Sequence, residues 1–444
     1  MSKADLILHA RWIIPVEPAG QVLEDHALII KAGRIEALLP SARARAEYQA
    51  GEVREMDRHA LIPGLINAHT HAAMTLLRGY ADDMPLMRWL NDYIWPAEGR
   101  WVDTDFVRDG ARMAMAEMIR GGVTCFNDMY FFPDAVAREA VHAGMRCAMG
   151  LIVIDFPSAW AGNADEYIAK GLEAHDEFGG HPLIKSIFAP HAPYTVSDQP
   201  LKRLRTLADE MELPIHMHVH ETAAEVQQAV SETGERPLAR LERLGLLTPN
   251  LLAVHMTALS EEEIVRVGNA GVHVVHCPES NLKLASGFCP VEALSRAGAN
   301  IALGTDGAAS NNDLNLLGEM RTAALLAKAE AKDAAALPAK AALRAATLGG
   351  AQALGLGDRI GSLTPGKAAD ITAIDLDHME TQPVYDPISM IVYAAGRHQV
   401  SDVWVAGRPL LYDHKLTTLD SHAIRDTAKA WGRRISAGNE TARP

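Results

Sequence analysis

Three histidines and a glutamate are concentrated at the end of one short apolar segment. Residues 213–222 read LPIHMHVHET, so His216, His218 and His220 alternate with apolar residues and Glu221 follows directly. A short apolar run that opens on proline predicts a buried β-strand. Neutral imidazole binds metals, and a neighbouring glutamate can act as general acid and base. Alternate residues of a strand share one face, so periodicity does not choose among the three histidines, and structural, hydrogen-bonded histidines remain the alternative.

A second pair of histidines, His69 and His71, follows another apolar run. Spaced two apart on an extended segment, their side chains point to the same side and can bind one ion. With His218 and Asp306 they would supply three nitrogens and one oxygen. That set suits Zn²⁺ or a similar divalent ion and leaves a position for water.

The elements that would bring these residues together are eight apolar runs that alternate with helix-like segments. The predicted strands lie at residues 61–68, 123–127, 146–154, 183–189, 214–218, 251–255, 272–276 and 300–304. Such alternation indicates βα units around a parallel sheet. Eight units over roughly 300 residues predict an α/β protein with a (β/α)8 TIM barrel, whose active site lies at the carboxyl ends of the strands.

Those carboxyl ends carry histidine or aspartate in almost every unit of the predicted barrel. In chain order they are His69 and His71, Asp128, His191, His218 with Glu221, His255, His276 and Asp306. A concentration of this kind favours an active site over scattered structural histidines. For His276 a supporting hydrogen-bonding role is nevertheless the expected one.

The two chain ends have a different character from the barrel. Residues 1–57 and about 362–420 read as short strands and turns, and we predict that together they form one small β-sandwich. The predicted domains are the N-terminal part of the sandwich (1–57), the barrel (58–361) and the C-terminal part of the sandwich with a terminal helix (362–444).

Charge and composition exclude several classes of protein. The chain has 42 Lys and Arg against 56 Asp and Glu, a net charge of −14, and it contains no basic block. Nucleic acid and anionic membranes are therefore not expected partners. Neither a signal peptide nor a membrane span is visible, and the four cysteines are scattered. We expect a cytoplasmic protein that acts on a small molecule, and a homo-oligomer is left open.

Four motifs together resemble the amidohydrolase superfamily. They are PGLINAHTH at 63–71, HVHET at 218–222, SNLKL at 280–284 and LGTDG at 303–307. Within the superfamily, the whole chain is similar to the branch of 5'-methylthioadenosine/S-adenosylhomocysteine deaminases. The resemblance implies the metal ligands His69, His71, His218 and Asp306, the proton shuttle Glu221, and His255 as the residue that holds the attacking hydroxide or the substrate beside the metal.

The resemblance also implies how many ions are bound. Many superfamily members bridge two metals with a modified lysine at the end of the fourth strand. Here that end reads FAPH at 188–191, and the nearest lysine, Lys185, lies early in the strand. One divalent ion per subunit, preferably zinc, is therefore expected.

The reaction implied by the resemblance is hydrolytic deamination of an adenine nucleoside. Zinc lowers the pKa of bound water to about 7. Asp306 and His255 are expected to orient the resulting hydroxide, while Glu221 carries the proton to the purine ring nitrogen and then to departing ammonia.

Substrate contacts are expected from Trp89, Glu98 and His191. The resemblance implies that Glu98 accepts hydrogen bonds from the ribose hydroxyls, that Trp89 packs on the sugar or the 5' substituent, and that His191 is a further ribose-side contact. An ordinary helix with one solvated charge and one core aromatic is the alternative for Glu98 and Trp89.

The loop after the third strand bears on the 5' substituent. It reads DFPSAWAGN at 155–163 and contains no Lys or Arg. An unpaired buried carboxylate is costly, so 5'-methylthioadenosine is preferred over S-adenosylhomocysteine, with adenosine also possible as a substrate.

Three alternatives to this function stay open. They are a guanine or other aminopurine deaminase, an s-triazine chlorohydrolase or aminohydrolase, and an inactive amidohydrolase-like binding protein. Glu98 argues against free bases and triazines, which have no ribose. The complete metal set argues against an inactive protein.

Overall fold

Two eight-stranded sheets form the framework of the computed structural model, which describes residues 1–440. The strands in chain order are β1 (Ser2–Ile13), β2 (Leu23–Lys31), β3 (Arg34–Pro40), β4 (Tyr48–Pro63), β5 (Leu65–Thr70), β6 (Val123–Asp128), β7 (Arg146–Val153), β8 (Ile184–Pro190), β9 (Ile215–Val219), β10 (Leu251–His255), β11 (His273–His276), β12 (Asn300–Leu303), β13 (Ile371–Asp375), β14 (Val400–Val405), β15 (Arg408–Tyr412) and β16 (Lys415–Leu416).

Strands β5 to β12 form the predicted parallel barrel. Each strand pairs with the next one along the chain, from β5 to β12. Between the last strand and the first, the Thr305 backbone N–H donates to Asn67 Oδ1 (3.0 Å), and the Asp306 N–H donates to the His69 carbonyl (3.1 Å). The (β/α)8 architecture inferred from the apolar runs is confirmed.

Seven of the eight predicted barrel strands agree with the structure to within one residue at each end. The first run, 61–68, is divided at Gly64 between β4 and β5. Gly64 donates its N–H to the Asp370 carbonyl (3.0 Å), and a Cβ built there would lie 2.1 Å from Thr124 Oγ1. The chain therefore changes sheets at a point that only glycine can occupy.

The other eight strands form an accessory sheet from both ends of the chain, as predicted. Its order is β16-β15-β14-β13-β4-β1-β2-β3, and all eight strands belong to one continuous sheet. The β1–β4 pair is parallel, whereas the other pairs are antiparallel. β4 runs to Pro63 and therefore crosses the proposed limit between the sandwich and the barrel at residue 57. The domain limits stay a prediction. Residues 441–444 of the predicted 362–444 segment lie outside the described residues.

One buried ion pair joins the barrel to the accessory sheet. Arg146 on β7 donates from Nε to Asp370 Oδ2 (2.6 Å) and from Nη2 to Oδ1 (3.0 Å), and both side chains are buried. The Ala406 N–H also donates to Asp370 Oδ1 (2.8 Å). Asp370 therefore has a partner on each side of the junction.

Helices surround the barrel and cover its open end. The α-helices of the described residues lie at Ser41–Glu47, Leu86–Trp89, Trp95–Trp101, Thr104–Arg120, Pro133–Ala143, Ala164–Phe178, Asp198–Met211, Ala223–Thr233, Pro237–Arg243, Glu261–Asn269, Pro278–Lys283, Val291–Arg296, Leu316–Ala331, Ala339–Arg344, Gly350–Ala353, Pro387–Tyr393 and Ser421–Glu440, with 3₁₀ turns at Ala72–Leu77, Met379–Thr381 and Arg397–Gln399 and π-helical turns at Leu90–Ile94 and Ala345–Gly349. Among the described helices, none combines the length and apolar character needed to cross a membrane.

Two of these helical regions matter for the site. Residues 86–101, which we call the cover segment, form two short helices joined by the π-helical turn. The helix that begins at Glu261 has a capping box, because the Ser260 hydroxyl accepts from the Glu263 N–H and the Glu263 carboxylate accepts from the Ser260 N–H.

Candidate active site

Four side chains converge at the carboxyl end of the barrel. His69, His71, His218 and Asp306 each offer one ligand atom, and these atoms all lie within 4.8 Å of one another. The Nε2 atoms of His69 and His71 both lie 3.2 Å from Asp306 Oδ1. His218 Nε2 lies 3.2 Å from His69 Nε2. The structure thus brings together all four residues that were expected to bind metal.

The far side of each ligand is held by a hydrogen bond. His71 Nδ1 donates to the Met129 carbonyl (2.6 Å), and His218 Nδ1 donates to the His191 carbonyl (2.8 Å). Because Nδ1 of each ring is used by a carbonyl, Nε2 of each ring faces the centre of the group.

The carboxylate of Asp306 and the ring of His69 are held in the same way. Asp306 Oδ2 accepts from the hydroxyls of Ser280 (2.6 Å) and Ser310 (2.7 Å), which leaves Oδ1 facing the histidines. His69 Nδ1 lies 2.9 Å from His216 Nε2. His216 therefore supports a ligand and is not itself at the centre of the group.

Burial and charge set the protonation of these groups. Burial lowers the pKa of His69 to about 4 and that of His218 well below its usual range, so both rings are neutral. Burial opposes a charge on His71 as well, but hydrogen bonding and attraction to Asp306 outweigh it and raise its pKa to about 9. Burial alone would raise the pKa of Asp306, yet its hydrogen bonds with His69 and His71 hold it well below the usual range. A carboxylate facing histidines is a suitable environment for a cation.

Left-handed backbone conformations at His255 and His220 determine which of these two side chains reaches the site. By strand pairing, His255 is level with Val219, on the face opposite His218. Its φ of 74° reverses that direction, and its ring stacks on His218 with centroids 5.4 Å apart. His220, with φ of 52°, turns the other way. Its Nδ1 lies 3.1 Å from the Ala258 carbonyl, and its Nε2 accepts from the Leu238 N–H (3.0 Å).

Glu221 and His255 face each other beside the four ligands. Glu221 Oε2 lies 3.8 Å from His255 Nε2. His255 Nδ1 donates to Asn281 Oδ1 (2.8 Å), which leaves Nε2 free to face Glu221. Burial raises the pKa of Glu221, so this carboxyl group takes up a proton more readily than an exposed glutamate.

A cavity of about 310 Å³ opens above these groups. Its lining includes the candidate ligands His71, His218 and Asp306, together with Glu221 and His255. None of its lining residues, all within the described chain, is Lys or Arg.

The expected substrate contacts line the same cavity. Trp89 and Glu98 reach it from the cover segment, and His191 follows β8. Trp89 Nε1 donates to the Ala81 carbonyl (3.1 Å), which satisfies the polar edge of the indole. Glu98 Oε1 accepts from the Tyr130 hydroxyl (2.7 Å), and burial raises the pKa of Glu98 to about 7.

Several supporting residues were not assigned a role from the sequence. Ser280 and Asn281 lie in the SNLKL motif, which supported the family resemblance but did not indicate what either residue does. Ser310 and Tyr130 had no such signal, since each lies in a loop beyond a strand end. His276 is buried outside the cavity lining, and its Nδ1 has no hydrogen-bond partner among the described residues, so its supporting hydrogen-bonding role stays a prediction. Lys185 lies early in β8 and donates to the Gly355 carbonyl (3.4 Å), not to the group of four.

The fold and the site agree with the comparisons to known proteins. The model of the amidohydrolase family matches residues 60–410, and the chain belongs to this family. A 5-methylthioadenosine/S-adenosylhomocysteine deaminase of Teredinibacter turnerae is 50% identical over 98% of this chain and 98% of its own length.

Two solved structures extend the comparison. A crystal structure of an adenosine deaminase from Xanthomonas campestris with bound zinc is 54% identical, with a TM-score of 0.97, over 98% of this chain and 99% of that one. The atrazine chlorohydrolase of Arthrobacter aurescens, solved with zinc, has the same fold, with a TM-score of 0.89 at 23% identity over 96% of this chain and 99% of that one.

Proposed function

We propose that this enzyme hydrolytically deaminates an adenine nucleoside, with 5'-methylthioadenosine as the preferred substrate and 5'-methylthioinosine and ammonia as products. The observation that carries the proposal is one cavity with the group of four and Glu221 at its base and buried Glu98 in its wall. The relatives described above, at about half identity over nearly the whole chain, are named as deaminases of such nucleosides. The four buried, unpaired cysteines fit the expected cytoplasmic location.

One zinc ion fits the four candidate ligands. Three imidazole nitrogens and one carboxylate oxygen form a typical zinc set, and the hydrogen bonds behind them orient the donor atoms. When bound, zinc supplies Lewis-acid activation of water. Lys185 donates to the Gly355 carbonyl, and no lysine is found among the described residues that line the cavity, which argues against a lysine bridge to a second ion.

Glu221 is the proposed proton carrier. Its carboxylate carries the first proton of the attacking water to the purine ring nitrogen, and it then carries the remaining hydroxyl proton of the adduct at the amine-bearing carbon to the departing amine, which leaves as ammonia. The pKa raised by burial suits a group that must both take and give a proton. His255, held by Asn281, presents Nε2 beside Glu221 and so orients the water for attack together with Asp306.

The cover segment is proposed to hold the sugar. Glu98 accepts hydrogen bonds from the two ribose hydroxyls, and Tyr130 keeps its carboxylate in place. Trp89 offers an apolar face to the sugar and the 5' substituent. His191, whose Nδ1 lies 3.0 Å from Thr195 Oγ1, is the further ribose-side contact.

An apolar wall explains the preference for a methylthio group. Phe156, Pro157 and Ala159, from the loop after β7, line the cavity together with Ile152 and Ile154. S-adenosylhomocysteine would bring a carboxylate against this apolar wall, where no Lys or Arg lines the cavity to pair with it. Adenosine carries a 5'-hydroxyl in place of the methylthio group, so it would lack the apolar contact with this wall.

The test is ammonia release from 5'-methylthioadenosine, S-adenosylhomocysteine, adenosine, 5'-deoxyadenosine, guanine and a triazine, with metal content measured on the same sample. We expect the highest kcat/KM with 5'-methylthioadenosine and one zinc per subunit. Glu98→Gln serves as a matched variant, because it should impair nucleosides and leave the free base unaffected.

Higher efficiency with guanine or a triazine would overturn the proposal. Much higher efficiency with S-adenosylhomocysteine would overturn the preference for the methylthio group. A metal-free protein that releases no ammonia from any purine would instead support the inactive binding protein.

A further inference from the structure

Lys283 joins its own helix to two other chain segments, although it does not line the cavity. Its Nζ donates to Asp82 Oδ1 (2.6 Å), to Asn312 Oδ1 and to the Ala309 carbonyl (3.2 Å). An ammonium group has three N–H donors, so these contacts use all of them. The side chains of Lys283 and Asp82 are 20% and 36% exposed, so the pair is partly shielded from water.

Two of the three segments hold the same carboxylate. Ser280 lies on the helix that ends at Lys283 and donates to Asp306 Oδ2, and Ser310 lies between Ala309 and Asn312 and donates to the same oxygen. The helix also carries Asn281, which fixes the ring of His255. The Lys283 ammonium group therefore links the helix that carries Ser280 to the segment that carries Ser310, and these two serines hold the Asp306 carboxylate.

The third segment leads into the cover segment. Asp82 lies four residues before Leu86, where the cover segment begins. Its neighbour Ala81 provides the carbonyl to which Trp89 Nε1 donates. Asp82 binds Lys283, and the neighbouring residue Ala81 binds the Trp89 indole. The position of Trp89 is therefore linked to the helix Pro278–Lys283, which carries Ser280.

We propose that Lys283 is a positioning residue that couples the position of the cover segment over the substrate to the placement of Asp306 and His255. The contact with Asp82 acts on substrate binding. The contacts with Asn312 and the Ala309 carbonyl act on the rate of the chemical step. The inference rests on the proposed function, because its kinetic test uses nucleoside turnover.

The two contacts can be separated by mutation. Asp82→Ala removes only the link to the cover segment, so KM for 5'-methylthioadenosine should rise about 3- to 10-fold with kcat within about twofold of the parent. Lys283→Met removes all three contacts, so kcat should fall at least about 10-fold in addition to the same rise in KM. Zinc content should be retained, because neither residue is a proposed ligand.

Three further variants sharpen the test. Lys283→Arg keeps the charge and should restore most of the kcat lost in Lys283→Met. Asp82 Oδ2 also accepts from Asn312 Nδ2 (3.5 Å), so the double variant Asp82→Ala/Lys283→Met should show a rise in KM smaller than the product of the two single rises, because both single changes break the Lys283–Asp82 pair. Asp25→Ala breaks the exposed Arg11–Asp25 pair in the accessory sheet and should leave kcat and KM unchanged.

Hydrogen exchange gives a readout that does not depend on turnover. Backbone amides of residues 79–101 should exchange faster in Asp82→Ala and in Lys283→Met than in the parent or in Asp25→Ala. If the parent turns over no nucleoside, the proposed function fails, and the exchange measurement still tests the coupling.

Either of two results would overturn the coupling. One is parental kcat and KM in both Asp82→Ala and Lys283→Met. The other is unchanged exchange of residues 79–101 in both variants. If Lys283→Met does not fold, Asp82→Ala carries the test alone, and a parental KM with unchanged exchange of residues 79–101 in that variant would overturn the coupling.

Discussion

Replacing Tyr130 by phenylalanine should change the pH at which Glu98 loses its proton. The Tyr130 hydroxyl donates to Glu98 Oε1 at 2.7 Å, and the tyrosine ring is only 3% exposed. Phenylalanine keeps the packed ring and removes only the hydroxyl. Burial already raises the pKa of Glu98 to about 7, so a further change falls within an accessible pH range.

The size of the change follows from the lost hydrogen bond. A hydrogen bond to a charged group contributes about 1.5–3 kcal/mol, and one pKa unit corresponds to about 1.4 kcal/mol. The hydroxyl stabilises the ionised carboxylate, so its removal raises the pKa of Glu98 by about 1–2 units. At pH 7 the ionised fraction then falls from about one half to roughly 1–10%, a loss of about 5- to 50-fold.

The assay is kcat/KM for 5'-methylthioadenosine as a function of pH, which reports groups of the free enzyme. Below the pKa of Glu98 the neutral acid is a weaker acceptor for the ribose hydroxyls, so kcat/KM should fall as the pH drops through about 7 in the parent. In Tyr130→Phe the same fall should begin about 1–2 pH units higher.

Two controls separate Glu98 from other groups that titrate near neutrality. A 2',3'-dideoxy nucleoside lacks the two hydroxyls that Glu98 is proposed to bind, so its profile should not move in Tyr130→Phe. Tyr194→Phe removes another hydroxyl from the cavity lining and should not move the profile of 5'-methylthioadenosine. An unshifted profile in Tyr130→Phe, or an equal shift with the dideoxy nucleoside, would refute the reasoning.

Three other predictions concern catalysis, specificity and stability. Glu221→Gln should lower kcat roughly 10²–10⁴-fold with zinc content unchanged, and near-parental turnover would contradict its role. Ala159→Arg places a cation in the exposed wall of the cavity and should raise kcat/KM for S-adenosylhomocysteine relative to 5'-methylthioadenosine by about 3- to 10-fold; an unchanged ratio would argue against the apolar wall. Arg146→Met leaves buried Asp370 without its partner and should lower the free energy of unfolding by about 3–5 kcal/mol in denaturant titrations, whereas exposed Arg11→Met should change it by less than about 1 kcal/mol. A comparable loss in both arginine variants would remove the special role of the buried pair.

The apolar runs predicted the barrel because strand position depends on local sequence. Each barrel strand after the first is a short apolar run between turn signals, and its limits follow from those signals. The run at 61–68 is equally apolar on both sides of Gly64. Which sheet each half joins depends on partners far along the chain, such as Asp370, and local sequence does not show them.

The site was predictable in its residue types but not in all of its directions. Histidine and aspartate at strand ends indicated where the site lies, and the resemblance to the amidohydrolase superfamily selected the four converging residues. The directions of His220 and His255 depend on left-handed backbone at non-glycine residues, which has no sequence signal. Tyr130 and Ser310 act through loop geometry that only the folded chain defines.

The place of β4 in the accessory sheet has a consequence for the nascent chain. β4 pairs with β1 on one side and, through residues 59–63, with β13 on the other. The ribosome adds about 300 residues between Pro63 and Ile371, so at ~5–20 residues per second this edge waits ~15–60 s for its neighbour. An open edge can pair with another chain, but here it is only five residues long and ends in proline, which donates no hydrogen bond. Completion of the C-terminal strands, after the whole barrel has been synthesised, ends the period in which two newly made chains can join at this edge.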